Sequence, residues 1–239
     1  MQCSVASLRL RPDRRNHELA QRQGRHRHGS GLGAPAGAGV GVMAADRSRA
    51  LPTVRTADHI GLTVPDLDAA AAFFVEVLGF DLVYSHAPSH PSGDVQERQF
   101  DSHPDTRIVG IAMLTLGTLN LELFECDAPD QRQEMPRISD WGGTHIALYV
   151  DDMDAALDHL RAHGIRVLGE PMALPGPERG SGNRFVFVQG PGGLPIELIT
   201  YPGGKAYESA TDRRLFDPRA SALWRAAARP SGSEGGEKQ

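Results

Sequence analysis

Trp141-Gly142-Gly143-Thr144-His145-Ile146-Ala147-Leu148-Tyr149-Val150-Asp151-Asp152 reads as a strand that runs straight into a helix start. Ile146, Leu148 and Val150 alternate with His145, Ala147 and Tyr149, the period of two that predicts a strand with one aliphatic face. Asp151 and Asp152 then place side-chain oxygens where a helix beginning near Met153 needs its N-cap. His145 stands on the face opposite the aliphatic residues. The chain carries the same phrase twice. His59-Ile60-Gly61-Leu62-Thr63-Val64-Pro65-Asp66-Leu67-Asp68-Ala69-Ala70 matches His145 to Ala156 at an offset of 86 positions, with the histidine in register. An internal repeat of this kind implies a duplicated structural unit.

Around each copy the periodicities continue in the same order. After the strand 58–64, Asp66 caps a helix from Leu67 to about Leu78, with Ala70, Phe73, Phe74 and Val77 at helical spacing and Gly79 as its C-terminal stop. Strands follow at Phe80–Tyr84, Ile108–Leu116 and Leu119–Glu125, the last two joined by Gly117-Thr118. A long polar loop, 85–107, separates the first two of these. In the second copy a strand at 144–150 precedes a helix at 152–163, with Met153, Ala156, Leu157 and Leu160 on one face and Gly164 ending it. Short strands are expected at Ile165–Leu168, Arg184–Val188 and Leu194–Tyr201, with a Pro/Gly-rich loop at 170–183. The fold class is therefore α+β, two βαβββ modules over 56–126 and 143–202.

Alternation also assigns faces. Each helix needs an aliphatic sheet face to cover. Ile60, Leu62, Leu121, Leu123, Ile146, Leu148, Ile196 and Leu198 supply it. His59, Glu122, His145 and Glu197 then share the opposite side. A lone histidine or carboxylate on a sheet is ordinarily a surface residue. Two of each, one pair per repeat at matching positions, point instead to a divalent metal site. Mixed nitrogen and oxygen ligation suits Zn, Ni, Co, Mn or Fe(II) and leaves positions open for substrate. A cation also lets two converging carboxylates stay ionised.

The 239 residues are 40% hydrophobic and 23% charged, ordinary for a globular protein. No apolar run approaches the ~18 residues of a spanning helix. Cys3 and Cys126 make no disulfide framework, so a reducing, cytoplasmic setting is the default. Seven arginines against Asp13 and Glu18 make residues 1–42 basic, and a net charge of −5 then leaves the body strongly acidic. An acidic body argues against nucleic acid as a partner. Residues 1–55 read as a disordered N-terminal tail, rich in Arg, Gly and Ala, with no apolar core of a secretory signal. Met43 is an alternative start, and an organelle-targeting reading of the arginines is weaker. Residues 203–239 read as an extension, with a helix over about Asp212–Ala228 and then a solvated tail.

Residues 56–202 resemble the vicinal oxygen chelate superfamily, which includes glyoxalase I, methylmalonyl-CoA epimerase, extradiol dioxygenases and antibiotic-resistance proteins. The resemblance rests on His59 in DHIGLTVPDLDAAAAFF, Glu122 in LNLELFE, His145 in GGTHIALYVDDMDAAL and Glu197 in GNRFVFVQGPGGLPIELITYP. It implies that the paired modules close into a cup of mixed sheet around one divalent metal ion held by those four residues. It also implies a small-molecule substrate. Two modules in one chain can close such a cup unaided, and a homodimer is left as an option. ELFECDAPD and GNRFVFV look epimerase-like. Glyoxalase I typically has Asn-Trp-Gly after its glutamate and an arginine on its second strand, where this chain has Phe124-Glu125-Cys126 and Tyr84. The epimerases in turn commonly have two adjacent histidines where this chain has Thr144-His145.

The resemblance implies an isomerase or lyase that moves a proton beside a metal-bound carbonyl, with Glu197 or Glu122 as the catalytic carboxylate. Two alternatives are an Fe(II) ring-cleaving dioxygenase and a non-catalytic drug-binding protein. His86, His90 and His103 read as a solvated loop, Arg184 and Lys205 as surface charges, and Cys126 as an inert thiol.

Overall fold

The computed structural model describes residues 51–220. The expectations for 1–50 and for 221–239 lie outside the described residues. Two four-stranded mixed sheets carry the fold, one per module. In the first, β1 (Ile60–Thr63), β2 (Asp81–His86), β3 (Arg107–Leu116) and β4 (Leu119–Asp127) lie in the order β1-β4-β3-β2. In the second, β5 (Ile146–Tyr149), β6 (Met172–Ala173), β7 (Arg184–Gln189) and β8 (Pro195–Thr200) lie in the order β5-β8-β7-β6. The first strand of each module pairs parallel to the last, and the other neighbours pair antiparallel. The repeat read in the sequence is thus a repeat of topology.

Helix α1 (Leu67–Ala72) follows β1 and continues as a wider π-helical turn, Phe73–Val77. Asp66 accepts from Ala69 N at 2.8 Å, as the sequence predicts. Glu125 on β4 adds a second cap, accepting from Leu67 N at 2.8 Å. The matching helix, α3 (Met153–Ala162), is capped by Asp152, which accepts from Asp154 N and Ala155 N. Gly79 and Gly164 follow these helices at φ +79° and +71°, where a side chain would be strained.

Three expectations change. The polar loop 85–107 contains a helix, α2 (Gly93–Phe100). Its inward anchor is polar: Gln96, 1% exposed, donates to Thr106 O at 2.9 Å. A buried amide that finds its partner needs no apolar stripe, so periodicity does not reveal it. The strand expected at Ile165–Leu168 is only a bridge, Val167 to Val188, and the strand that joins β7 is β6. The helix expected from Asp212 is absent from 212–217, and a single 3₁₀ turn, Pro218–Ala220, follows. Pro218 disfavours helix in the residue before it.

The aliphatic faces of both sheets, with α1 and α3, form one core. Val64, Phe74, Leu121 and Leu123 of the first module share it with Ile146, Leu157, Leu160, Val188 and Ile196 of the second. His159 on α3 hydrogen-bonds Val77 O at 3.0 Å. Gly192, in the β7–β8 turn, sits so close to the end of β1 that an added Cβ would lie 2.7 Å from Pro65 Cδ. The polar sheet faces turn away from this core.

Candidate metal centre

Register places the candidate ligands. In the parallel pair β1–β4, Gly61 lies opposite Glu122, and in β5–β8, Ala147 lies opposite Glu197. Each histidine stands two residues before that small residue, on the same face. A small side chain opposite the glutamate lets the carboxylate lean back toward the imidazole. His59 Nε2 is 3.1 Å from Glu122 Oε2, and His145 Nε2 is 3.2 Å from Glu197 Oε2. The two halves agree closely, as duplicated modules should.

The pairs fit a divalent cation by the chemistry of their donors. Two ligands each about 2.1 Å from one ion lie roughly 3 to 3.4 Å apart, and both pairs meet that spacing. In the first pair His59 Nδ1 donates to Asp58 Oδ2 at 2.8 Å. That bond raises the His59 pKa above the usual imidazole value, with a further contribution from the charges of Glu122 and Asp58. A carboxylate behind a ligating histidine orients the ring and makes its other nitrogen a better donor. Asp58 is a candidate site residue that alternation alone passed over; its signal was an acid directly before the histidine. Thr144 occupies the equivalent position in the second half.

The second pair sits in a drier place. Phe187 lies opposite Glu197 in the β7–β8 register, and its ring packs edge-on to His145 with centroids 5.4 Å apart. The Glu197 side chain is only 14% exposed. Burial pushes its carboxyl above the usual carboxylate range and Glu178 adds to this, while His145 and Lys205 oppose it. Glu178 and Lys205 form an ion pair of their own, held where Asn183 Nδ2 donates to Glu178 O and Gly204 O. Lys205 is therefore not the surface charge expected of it. Together with Arg179, Gly180 and Gly204 it lines an open hollow of about 550 Å³.

Other sequence candidates are engaged elsewhere. His86 Nδ1 bonds Ala87 O, and His103 Nδ1 accepts from Asp105 N. Arg184 pairs with Asp154 on α3. Burial, and the nearby Glu125 charge, push the Cys126 thiol pKa up, which keeps it protonated and unreactive.

The structure thus joins His59 to Glu122 and His145 to Glu197. Among the described residues no three or more His, Cys, Asp or Glu side chains gather closely enough to hold a metal ion. No helix of the described residues is long and apolar enough to cross a membrane.

Residues 56–198 match the profile of the Glyoxalase/Bleomycin resistance protein/Dioxygenase superfamily. A 2-epi-5-epi-valiolone epimerase from Actinomyces sp is 46% identical over 176 residues, covering 72% of this chain and 94% of that protein. An uncharacterized protein of Escherichia coli (strain K12) is 29% identical over 151 residues, 61% of this chain and 95% of that one. The crystal structure of a glyoxalase family protein from Bacillus cereus shares the fold, with a TM-score of 0.50 at 21% identity over 63% of this chain and 98% of that one.

Proposed function

The chain belongs to the glyoxalase/bleomycin resistance protein/dioxygenase superfamily, and we propose that it is a divalent-metal-dependent epimerase acting on a small ketone of the 2-epi-5-epi-valiolone kind. The observation that carries this reading is the duplicated His–Glu contact, at 3.1 Å and 3.2 Å, on equivalent strands. A relative named for epimerisation, 46% identical, supports the reaction class. His59, Glu122, His145 and Glu197 would hold the cation.

A bound divalent ion would act as a Lewis acid on the ketone oxygen and offset the negative charge that grows there as the neighbouring carbon loses its proton. The chain supplies the rest. Glu197, raised by burial, is the carboxylate whose pKa moves toward working pH, which suits it to take a proton. Inversion needs a proton removed from one face of the carbon and delivered to the other. Glu122, from the other half, would serve the second face. Phe187 limits water around Glu197 and His145. Glu178, Lys205 and the backbone around the adjoining hollow present the hydrogen-bonding wall that a hydroxylated substrate needs.

The test is isotope exchange. The full chain is loaded in turn with Zn, Ni, Co, Mn or Fe(II) and given 2-epi-5-epi-valiolone in deuterium oxide. The expected result is epimer formation with one deuterium on the carbon next to the carbonyl, lost on chelation. Oxygen uptake with Fe(II) alone would replace this reading with ring cleavage. Tight ligand binding without metal or turnover would replace it with a drug-binding role.

A further inference from the structure

We infer that Glu178 and Lys205 are the specificity-determining pair of this site, an acceptor and a donor side by side that take adjacent hydroxyls of a neutral ring and turn away anionic substrates. The inference deepens the epimerase reading above and rests on the substrate class named there. Lys205 comes from outside the shared module: the superfamily match ends at residue 198. Beyond that end the chain brings Lys205 Nζ to 4.5 Å over the Tyr201 ring, where it pairs with Glu178 of the loop 170–183. Tyr201 continues the alternation of Glu197 and Ile199 just past β8. Ile199 and Tyr201 are buried with Leu174, and Tyr149 and Phe185 pack against them. The pair therefore stands over an aromatic floor on the Glu197 side of the sheet. Its two charges reach the Glu197 carboxyl, Glu178 opposing ionisation and Lys205 favouring it.

Two loops are locked together to hold the pair. Asn183, 2% exposed, donates from Nδ2 to Glu178 O and to Gly204 O, each at 2.8 Å. Ala206 N donates to Arg179 O at 3.0 Å. Gly180 permits the close approach, since a Cβ there would lie 2.5 Å from Asn183 Nδ2 and 2.8 Å from Gly204 O. The Lys205 side chain is only 9% exposed, and withdrawing an ammonium this far from water is costly unless its donors are engaged. An ammonium has three donors, and among the described residues one Glu178 oxygen and the Tyr201 ring engage it. A donor of Lys205 and the second oxygen of Glu178 are left for a ligand. A hydroxyl group can meet both, because it donates and accepts. A phosphate or carboxylate only accepts, and it would meet Glu178 and Glu197 as like charges. Arg179 is the other cation lining the hollow beside Lys205, exposed and with Nη1 donating to Gly176 O. An anion held by Arg179 and Lys205 is the rival reading, and the test separates the two.

The full-length, metal-loaded protein is given 2-epi-5-epi-valiolone and, as the anionic probe, a phosphate monoester of the same ketone. Wild type is expected to prefer the neutral ketone by about 100-fold or more in kcat/KM. Lys205→Met should raise KM for that ketone by more than about tenfold and lower kcat far less, as lost ground-state binding does. Lys205→Arg keeps a charged donor and should recover part of the loss. Glu178→Gln removes the like charge and should narrow the preference to less than about tenfold. A wild type that favours the ester would overturn the inference and make the hollow an anion subsite. So would a Glu178→Gln variant with the wild-type preference, or a Lys205→Met variant whose kcat falls at unchanged KM. If Lys205→Met does not fold, the ranking of the two probes by Glu178→Gln decides alone.

If no epimer forms, the epimerase reading falls by itself, and calorimetric binding of the two probes to the full chain decides this inference separately. Tighter binding of the neutral ketone than of the ester, with the gap narrowed in Glu178→Gln, would support it. A neutral ketone that does not bind, or an ester bound as tightly, would sink it.

Discussion

Glu122 stands directly across from Gly61 in the parallel register of β1 and β4, and its carboxylate reaches back to the imidazole two residues earlier. An added Cβ at Gly61 would lie 3.9 Å from Glu122 Oε2 and 3.7 Å from Phe124 Cε2, ordinary contact. Ala147 already occupies the equivalent place in the second half. Gly61→Ala is therefore expected to change Co(II) affinity less than about threefold. Gly61→Leu fills the space the carboxylate leans through and is expected to weaken it by about tenfold or more, as displaced or misoriented ligands do. Titration of the metal-free protein checks both.

Asp58 holds His59 from behind, and its loss should be felt through the metal rather than through the fold. Asp58 is exposed, so Asp58→Asn is expected to leave thermal stability within about 0.5 kcal/mol. Metal affinity should fall about 10- to 100-fold. Thr144→Asp would give His145 the same support and is expected to raise affinity. Equal metal uptake by wild type and Asp58→Asn would show that the 2.8 Å contact does not orient a ligand.

Phe74 lies in the core that the two modules share. It is fully buried, with ring centroids 5.4 Å from Phe73 and 5.2 Å from Phe80 in edge-to-face packing. Phe74→Ala is expected to cost about 3–5 kcal/mol. Because the core is shared, both modules should lose stability in one cooperative transition. Denaturant unfolding followed by two probes, near-ultraviolet and far-ultraviolet dichroism, would check this. Two separated transitions would mean that the modules fold independently.

Tyr201 sets an alkaline limit. Its phenol is pushed up to about 12, chiefly by burial and next by the Asp217 charge, with Arg219 opposing. Below pH 10 the phenol is protonated in both folded and unfolded chains. Between the ordinary value near 10 and about 12, the unfolded chain ionises while the folded one does not, so stability falls as pH rises through that window. Tyr201→Phe keeps the ring contacts with Tyr149, Lys205 and Arg219 and is expected to flatten this part of the profile. Thermal melts from pH 9 to 12 would decide it, and a mutant profile as steep as wild type would assign the loss to another group.

Much of the architecture was legible because it is local. Period-two alternation named the strands, Asp66 and Asp152 named the helix starts, and the repeated His-Ile-x-Leu phrase announced the duplication. The same alternation put each histidine on the side of its glutamate, and register then made the contact. What escaped was held by non-local polar pairing. Helix α2 is anchored by Gln96 on Thr106, and the second His–Glu pair is bordered by Glu178 and Lys205, set in place by Asn183. None of these partners is adjacent in the chain, and none follows an apolar period. Asp58 was in plain view, but its role depends on a ring orientation that spacing does not contain.

By itself, then, the sequence determined two equivalent His–Glu pairs and the face of the sheet that each occupies. Side-chain period and strand order are properties of short segments, and a duplicated segment must repeat them. Only the tertiary structure decided how these two pairs stand toward each other. That relation depends on how the modules seat against each other, through Gly192 on Pro65, His159 on Val77 and a core drawn from both. Such contacts fix an angle between rigid units, and no alternation along the chain encodes an angle.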